Sequence, residues 1–460
     1  MKGNNRLRTV VCGSRFGQFY LEALKALPEQ FELVGLLAKG SERSKKCAER
    51  YGINLYTEVD QLPDNTELAC VVLRSGVMGG HGTELSLKLL ARGIHVIQEQ
   101  PVHHKDLASC LRAARQNGLH FQTGDLYVHL PAVRRFIACA HVMLEQQNAL
   151  YIDAACATQV SFPMMHILLE ALPTIRPWKI NNVIKDEGPF QVLTGVLGKI
   201  PIILKAHNEV DPKDPDNYLH LLHRLTIGVE GGSLSLADTH GPVVWHPRLH
   251  VPDNHNIPGG LSTATPAHLL ENSTQILGPA APIRYKEILM KQWPRAIGGD
   301  LSAMREMIQG NARIDTRAQQ ELLCSRQWQD LTNALGYPVL RPNRSHQALA
   351  VDILKEAASK IVEDPEEHSD QVSHPKTESD VFTCTEYAEG EVQGIDTNQV
   401  SVCVERLDEA VLSSMLFALQ SQGTLTTTEH EYSEAEILST SKVAPRHQYL
   451  ILRWLQILTE

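Results

Sequence analysis

The chain is 460 residues long, 43% hydrophobic and 21% charged, with a formal net charge of −10. This is the composition of an ordinary soluble globular protein of two or three domains. The acidic balance offers no clustered Lys and Arg for nucleic acid, and no apolar run reaches the roughly 18 residues of a membrane span, so neither partner is expected.

The N-terminal MKGNNRLRTVVCG enters a strand at once and leaves no room for a signal peptide. The nine cysteines form no C-x-x-C pair, and Cys12, Cys70 and Cys156 lie in apolar runs. Reduced, buried thiols and a cytoplasmic location are therefore expected. The 21 histidines show no metal spacing, so no metal is expected.

From residue 7 to 123 strand and helix patterns alternate. Strands are predicted at Arg8–Cys12, Phe31–Ala38, Leu68–Leu73, His95–Glu99 and His120–Thr123, with helices such as Thr83–Arg92 and Lys105–Asn117 between them. Repeated βα units with short connections predict a parallel sheet covered on both faces, here residues 1–124. Over 125–362 the rhythm changes. Helices at Ala132–Glu145 and Phe162–Leu172 surround longer β-rich stretches at Phe190–Lys199, Ile202–Glu209 and Leu219–Ala237, the last turning at Glu230-Gly231-Gly232. The fold class expected is α/β: a Rossmann domain followed by a domain with an open, largely antiparallel sheet. Residues 363–400 open with EDPEEHSDQ and read as an acidic linker. Helical period returns in 401–460, at Val404, Leu407, Val411, Met415 and Leu419, then at Leu450, Ile451, Trp454, Leu455 and Leu458. The second face has little chain left to cover it, as in a docking element or the start of a longer segment.

VVCGSRFGQFY follows the first strand and opens the first helix, the place for a dinucleotide fingerprint. With Gly17 as the third glycine of G-x-G-x-x-G, Cys12 and Ser14 occupy the first two positions, so the strict pattern is not met. Gly13 and Gly17, with Ser14, Arg15 and Phe16 between them, still permit a tight turn that brings backbone N–H groups to a phosphate. An ordinary strand-to-helix turn is the plain alternative. After the second strand, LLAKGSERSKK has no acid before Glu42 to hold a ribose 2′-hydroxyl. Lys39, Gly40, Ser41, Arg43 and Ser44 suit a 2′-phosphate instead, unless Ser41 simply caps a solvated helix. Together the two loops favour NADPH over NADH. Ser75, His81 and Glu99 complete the cofactor-binding candidates.

IHVIQEQPVHH is a buried strand closed by polar residues and a proline, where open α/β sheets place ligands. At this point the chain resembles the Gfo/Idh/MocA oxidoreductases, which carry Glu-Lys-Pro there. The corresponding residues are Glu99, Gln100 and Pro101, so the family's catalytic lysine is absent. Its second signature, Asp-x-x-x-His, falls on Phe162 to His166 and has lost its acid. Four further stretches, CGSRFGQFYLEAL, LVGLLAKGSERS, GDLYVHLPAVRRFI and LADTHGPVVWHPRLHVP, resemble the thiazolinyl imine reductases of siderophore (nonribosomal peptide) biosynthesis, over about residues 7 to 350.

That resemblance implies NADPH-dependent reduction of a thiazoline C=N to a thiazolidine while the substrate rides as a thioester on a peptidyl carrier protein. An imine needs hydride at carbon and a proton at nitrogen, not an alcohol base. Position 100 is often histidine in these reductases. Gln100 cannot deliver a proton and is assigned to positioning. Tyr127, where the chain crosses to the second domain, is the candidate catalytic acid, and His166 a further positioning group. His103 and His104 read as solvated or capping, His129 as packing, and Asp238, Thr239 and His240 as a structural turn. The tail is similar to helical segments leading into methyltransferase domains. A homodimer is compatible with the pattern. The competing readings are another NAD(P)-dependent dehydrogenase of the wider family and a non-catalytic scaffold that docks a carrier protein.

Overall fold

The computed structural model describes residues 6–73, 80–185, 188–214, 217, 219–249, 271–279, 283–310, 314–342, 349–361, 400–427 and 430–459. The chain divides into two compact units, residues 1–346 and 347–460.

The first unit opens with β1 (Leu7–Cys12), α1 (Gly17–Lys25), β2 (Phe31–Leu37), α2 (Glu42–Tyr51), β3 (Leu55–Tyr56), β4 (Leu68–Val71), α3 (His81–Ala91), β5 (His95–Glu99), α4 (His104–Gln116) and β6 (Phe121–Gly124). Its six strands are all parallel, in the order β3-β2-β1-β4-β5-β6. Alternate residues of each strand enter different cores, as a period of two requires. Val11, Cys70 and Ile97 pack with Tyr20, Leu21 and Leu24 of α1 on one face. Val10, Cys12, Val71 and Val96 pack with Leu89, Leu90, Leu107 and Cys110 of α3 and α4 on the other. The order reverses between β1 and β4, and in such sheets ligands sit outside the carboxyl ends of the strands at that point.

A single 3-10 turn (Leu126–His129) leads from β6 into α5 (Pro131–Gln146) and the second sheet. The elements that follow are β7 (Tyr151–Ala157), α6 (Ser161–Ala171), β8 (Trp178–Lys185), β9 (Phe190–Leu197), β10 (Ile200–His207), β11 (Glu209–Val210), β12 (His223–Val229), β13 (Gly232–Leu236), β14 (Val243–Pro247) and β15 (Gln275–Ile276). Eight strands run in the order β15-β14-β13-β12-β7-β10-β9-β8, antiparallel except where β7 meets β10. The hairpin predicted at residues 230–232 joins β12 to β13, with Val229 paired to Gly232. Then come α7 (Tyr285–Glu287), a π-turn (Ile288–Gln292), α8 (Trp293–Ile308), α9 (Ile314–Leu335) and β16 (Val339–Leu340), which pairs with β11. Helix α8 packs back on α1, and α9 on α4 and α6, so the two sheets share one apolar core.

The second unit contains α10 (Val351–Ser359) and helices at Val400–Ser421, Glu434–Thr440 and Gln448–Thr459. Leu419, Ile437 and Leu455 form its small core, with Leu425, Tyr432, Ile451 and Leu458 against it. Leu407, Val411, Phe417 and Tyr449 stay exposed. The expected acidic linker lies outside the described residues, apart from Val400, which starts a helix. Among the described residues, no helix is long and apolar enough to cross a membrane. Cys12, Cys47, Cys70, Cys110, Cys156 and Cys324 are buried free thiols.

Candidate active site

The β1–α1 turn is built for a close approach of backbone. Gly13 has φ +110°, and a Cβ there would lie 2.4 Å from the Val72 carbonyl oxygen, so no side chain fits. Helix α1 begins at Gly17 without a side-chain cap on Phe16 and without an acid in its first turn. Its N–H groups and the positive end of its dipole are thus available to an anion. Ser14 is half-buried, and Arg15 is exposed, 4.0 Å from Asp214. The Phe16 ring packs on Phe19 and Trp293 at 5.0 and 5.9 Å.

After β2, Lys39 and Arg43 are exposed, and Gly40 makes the turn with φ +71°. Ser41 is the N-cap of α2 and accepts from the Ser44 N–H at 3.3 Å. The Ser44 hydroxyl donates to the Ser41 carbonyl at 2.7 Å and is fully buried. Ser44 is therefore engaged in the helix cap. The nearest acid, Glu42, is engaged by Lys45 at 2.9 Å. His81 starts α3 as an exposed ring beside Glu84. Ser75 lies outside the described residues.

At the end of β5 the Glu99 carboxylate accepts from the Tyr20 hydroxyl at 2.5 Å. A Cβ on Gly124 would fall 2.4 Å from that hydroxyl, so β6 needs glycine there. Burial, with Asp125 and Asp300 nearby, pushes the Glu99 carboxyl well above the usual carboxylate range. The carboxyl is turned beneath α1, so it serves the fold before any cofactor. The Gln100 N–H donates to the Gly124 carbonyl at 3.1 Å, and the Gln100–Pro101 bond is cis. Among the described residues, its side-chain Oε1 is buried without a hydrogen-bond partner.

Next to Gly124 the chain assembles a group of charges. Asp125, 1% exposed, accepts the Tyr127 N–H on Oδ1 at 3.0 Å and His166 Nδ1–H on Oδ2 at 3.0 Å. The Asp125 N–H donates to Asp300 Oδ2 at 2.8 Å, and Asp300 Oδ1 accepts from His129 and Arg317 at 3.1 and 3.3 Å. Arg317 also donates to Glu321, whose other oxygen accepts the Thr123 N–H. Burial opposes ionisation of Asp300, but the bond and charge of His129, with Arg317 and the Asp125 N–H, outweigh it and hold the carboxyl below its ordinary range. Burial likewise works against a charged His166. The hydrogen bond and charge of Asp125, then Glu170 and Glu321, prevail and raise the imidazole above its ordinary range.

Tyr127 is buried in the same 3-10 turn. Its ring stands edge-on to His223 at 5.0 Å and faces Trp293 at 6.4 Å. The Trp293 indole N–H donates to His240 Nε2 at 3.2 Å, and Asp238 flanks His240 at 3.4 Å. The predicted DTH turn thus anchors an aromatic wall that runs from Tyr127 to the nucleotide turn. His103 caps α4, accepting from the Lys105 N–H, while His129 is an ion-pair partner and not packing.

The sequence reading missed Asp125, Trp293, Asp300, Arg317 and Glu321. A signal existed in Arg317 and Glu321, four apart on one helix, and in Asp125 at a domain crossing. The partner contacts span up to 198 residues, which no local pattern reveals. Among the described residues, no group of three His, Cys, Asp or Glu gathers as a metal site.

Two families match in tandem. The Gfo/Idh/MocA family, described as an oxidoreductase family with an NAD-binding Rossmann fold, covers residues 7–125. The family described as thiazolinyl imine reductase Irp3-like, C-terminal, covers residues 147–246. Residues 7–125 are thus an NAD(P)-binding Rossmann domain of the Gfo/Idh/MocA oxidoreductase type, followed at 147–246 by an Irp3-like domain. No curated protein matches by sequence. Among solved structures, KijD10, a 3-ketoreductase from Actinomadura kijaniata in complex with NADP, is 13% identical with a TM-score of 0.52, covering 74% of this chain and 100% of that one. UDP-N-acetylglucosamine 3-dehydrogenase GnnA from Acidithiobacillus ferrooxidans is 13% identical with a TM-score of 0.49, over 72% and 98%. The KijD10 likeness speaks for the fold alone.

Proposed function

We propose that the protein reduces the C=N bond of a thiazoline, carried as a thioester on a peptidyl carrier protein, to a thiazolidine, with NADPH as reductant. The observation that carries this reading is chemical. Gln100 stands where an alcohol dehydrogenase of this fold needs a base, while Asp125 engages the His166 ring and, through the backbone N–H of Tyr127, the turn that carries that phenol. The Irp3-like second domain supports the same substrate class.

The residues fit the cofactor. The side-chain-free turn at Gly13 and the uncapped start of α1 would hold the pyrophosphate, and Lys39 and Arg43 a 2′-phosphate. The Gln100 oxygen, buried with no partner among the described residues, supports a positioning role toward nicotinamide or substrate. NADPH, when bound, supplies hydride to the imine carbon. The π pair of C=N then falls on nitrogen, and the Tyr127 hydroxyl donates the proton that completes the N–H bond. Trp293 links the Tyr127 ring to Phe16 at the nucleotide turn.

The test is oxidation of NADPH, followed by absorbance, with a carrier-bound thiazoline thioester and with a small thiazoline mimic. Stoichiometric thiazolidine is the expected product. No turnover of either substrate, together with NAD(P)+ reduction by a polyol, would overturn the reading in favour of a sugar dehydrogenase.

A further inference from the structure

The turn that delivers Trp293 to the aromatic wall also builds a surface on its outer side. Between α7 and α8 the backbone takes one π-turn, Ile288–Gln292, in which the Trp293 N–H donates to the Ile288 carbonyl five residues back. That step sets Ile288 and Trp293 on one face. Ile288 is buried, and the Trp293 ring meets Phe16, Phe19 and Tyr127. The other large apolar side chains of the stretch face out: Tyr285 is 81% exposed, Met290 57% and Leu289 38%. Short π-turns of this kind recur at functional sites.

Around these side chains the sequence RYKEILMKQWPR, residues 284–295, sets four exposed cations, Arg284, Lys286, Lys291 and Arg295, against one acid, Glu287. Among the described residues, none of the four cations meets a carboxylate. The whole chain carries a net charge of −10, so a cationic stretch left without acids runs against the rest of the molecule. Exposed apolar groups rimmed by charge mark interaction surfaces, and Tyr, Met and Arg are among the residue types enriched in them.

We propose that this face docks the carrier protein, and that the carrier meets it with a helix that is apolar at its centre and acidic at its rim. This rests on the imine-reductase reading above, which makes the substrate a thioester on such a carrier. Reach favours the assignment. A phosphopantetheine arm spans ~16 Å, the length of about five extended residues. Tyr285 lies eight residues before Trp293, about 12 Å at a helical rise of roughly 1.5 Å per residue. The Trp293 ring stands 6.4 Å from that of Tyr127. A carrier seated on Tyr285 and Met290 therefore lays its arm past Trp293 and presents the thiazoline at Tyr127. Charge favours it too. The arm is anchored through a phosphodiester, so the partner brings negative charge to its own contact face, and opposite potentials speed encounter and fix orientation. A second copy of this chain, joined face to face about a two-fold axis, would set like charges together.

The test compares two substrates of the intact protein at saturating NADPH: a thiazoline thioester on a phosphopantetheinylated peptidyl carrier domain, and the same thioester on pantetheine alone. Lys286→Glu with Lys291→Glu should raise KM for the carrier-bound substrate at least about tenfold and leave its kcat within about twofold. Both constants for the pantetheine thioester should stay within about twofold, as should the NADPH Kd. Tyr285→Ala with Met290→Ala should raise the carrier-bound KM in the same selective way. Added salt should raise that KM in the wild type and hardly move it in the charge-reversed variant, because exposed charges are screened. A carrier-bound KM within about twofold of wild type in both variants, or an equal loss on the pantetheine thioester, would overturn the assignment. So would a KM raised only by ending the chain at residue 361, which would move docking to the second unit. Loss of a dimer in sedimentation, or of binding to phosphatidylserine vesicles, with the carrier-bound KM unchanged, would overturn it in favour of a second copy or a membrane. If the wild type reduces neither thioester, the functional reading falls and binding alone decides the surface. Fluorescence anisotropy of the labelled, phosphopantetheinylated carrier domain should then show a Kd that Lys286→Glu with Lys291→Glu raises at least about tenfold, and no binding to the wild type would overturn the assignment.

Discussion

The two ends of the site are made of different materials. At the nucleotide end the working parts are backbone: a turn that admits no side chain at Gly13 and a helix start without a side-chain cap. At the crossover end they are side chains, and Asp125, His166, Asp300, Arg317 and Glu321 come from four separate elements. Local backbone geometry depends on a few adjacent residues. A buried charge network instead depends on which distant segments the fold brings together, and it is stable only if each charge finds its partner. The first kind of site tolerates a degenerate motif, and the second does not tolerate the loss of one member.

The sharpest way to break that contrast is at Tyr127. Tyr127→Phe should slow single-turnover reduction by about 10²–10⁴-fold, or roughly 3–5 kcal/mol of barrier, as removal of a positioned acid does. A change under about threefold at saturating NADPH would move proton delivery to solvent or to His166 alone.

Next in size is the network that braces the crossover end. Asp300→Ala leaves Arg317, His129 and the Asp125 N–H without their buried acceptor, and should cost about 3–5 kcal/mol. Urea unfolding of the two proteins measures it, and a loss below about 1 kcal/mol would mean that water replaces the carboxylate.

Acid should act on the same region. His223 is fully buried, with both ring nitrogens hydrogen-bonded, to Thr239 and to the Val160 carbonyl. Burial first, partly offset by that carbonyl bond, lowers its pKa to about 4. Because the folded value lies below the unfolded one of about 6.5, the unfolded chain takes up a proton that the folded one refuses. Stability is therefore full above about pH 6.5 and falls as the pH drops toward 4, by up to roughly 3 kcal/mol. Asp300, held below its ordinary range, works in the same direction at lower pH, since its contribution is lost as it is protonated. Unfolding midpoints from pH 7.5 to 4.5 check this, and His223→Asn should flatten the upper part of the curve.

At the nucleotide end the effects should be smaller and confined to the cofactor. Lys39→Ala with Arg43→Ala should reduce the preference for NADPH over NADH by about tenfold or more. A single charge-assisted hydrogen bond contributes roughly 1.5–3 kcal/mol. Ser44→Ala should leave the preference alone and loosen only the start of α2, because its hydroxyl is used by the cap. Equal loss of both cofactors in a binding titration would place the cations on the pyrophosphate instead.

The same division decides what could be read from the chain. The βα alternation of the first sheet was legible because its strands are short, apolar runs between amphipathic helices. Strand β7 was not, although it lies near the centre of the second sheet. YIDAACA is rich in alanine, a weak strand former, and its small side chains are buried among larger ones that set their conformation. The edge strand β8, WKINNVIK, is largely exposed and carries two asparagines that suggest a loop. Tyr127, Gln100 and His166 stand out by motif. Asp125, inside GDLYVHLP, does not, because its contacts lie at residues 166 and 300.

The smallest expected effect concerns residues 347–460. Their described helices close on a core of their own, in Leu419, Ile437 and Leu455. The charge network at Asp125 and the turn at Gly13 are complete within residues 1–346: every partner named for Asp125, His166, Asp300 and Gln100 belongs to that unit. A chain that ends at residue 361 should therefore keep kcat for a free thiazoline within about twofold, since changes away from a site's own partners act additively. Comparison with the carrier-bound substrate sharpens the result. An unchanged kcat with a raised KM for the carrier-bound thioester alone would assign the exposed Leu407, Val411, Phe417 and Tyr449 to carrier docking. A large fall in kcat for the free substrate, in a truncated protein with an unchanged unfolding midpoint, would mean that the second unit completes the reaction centre.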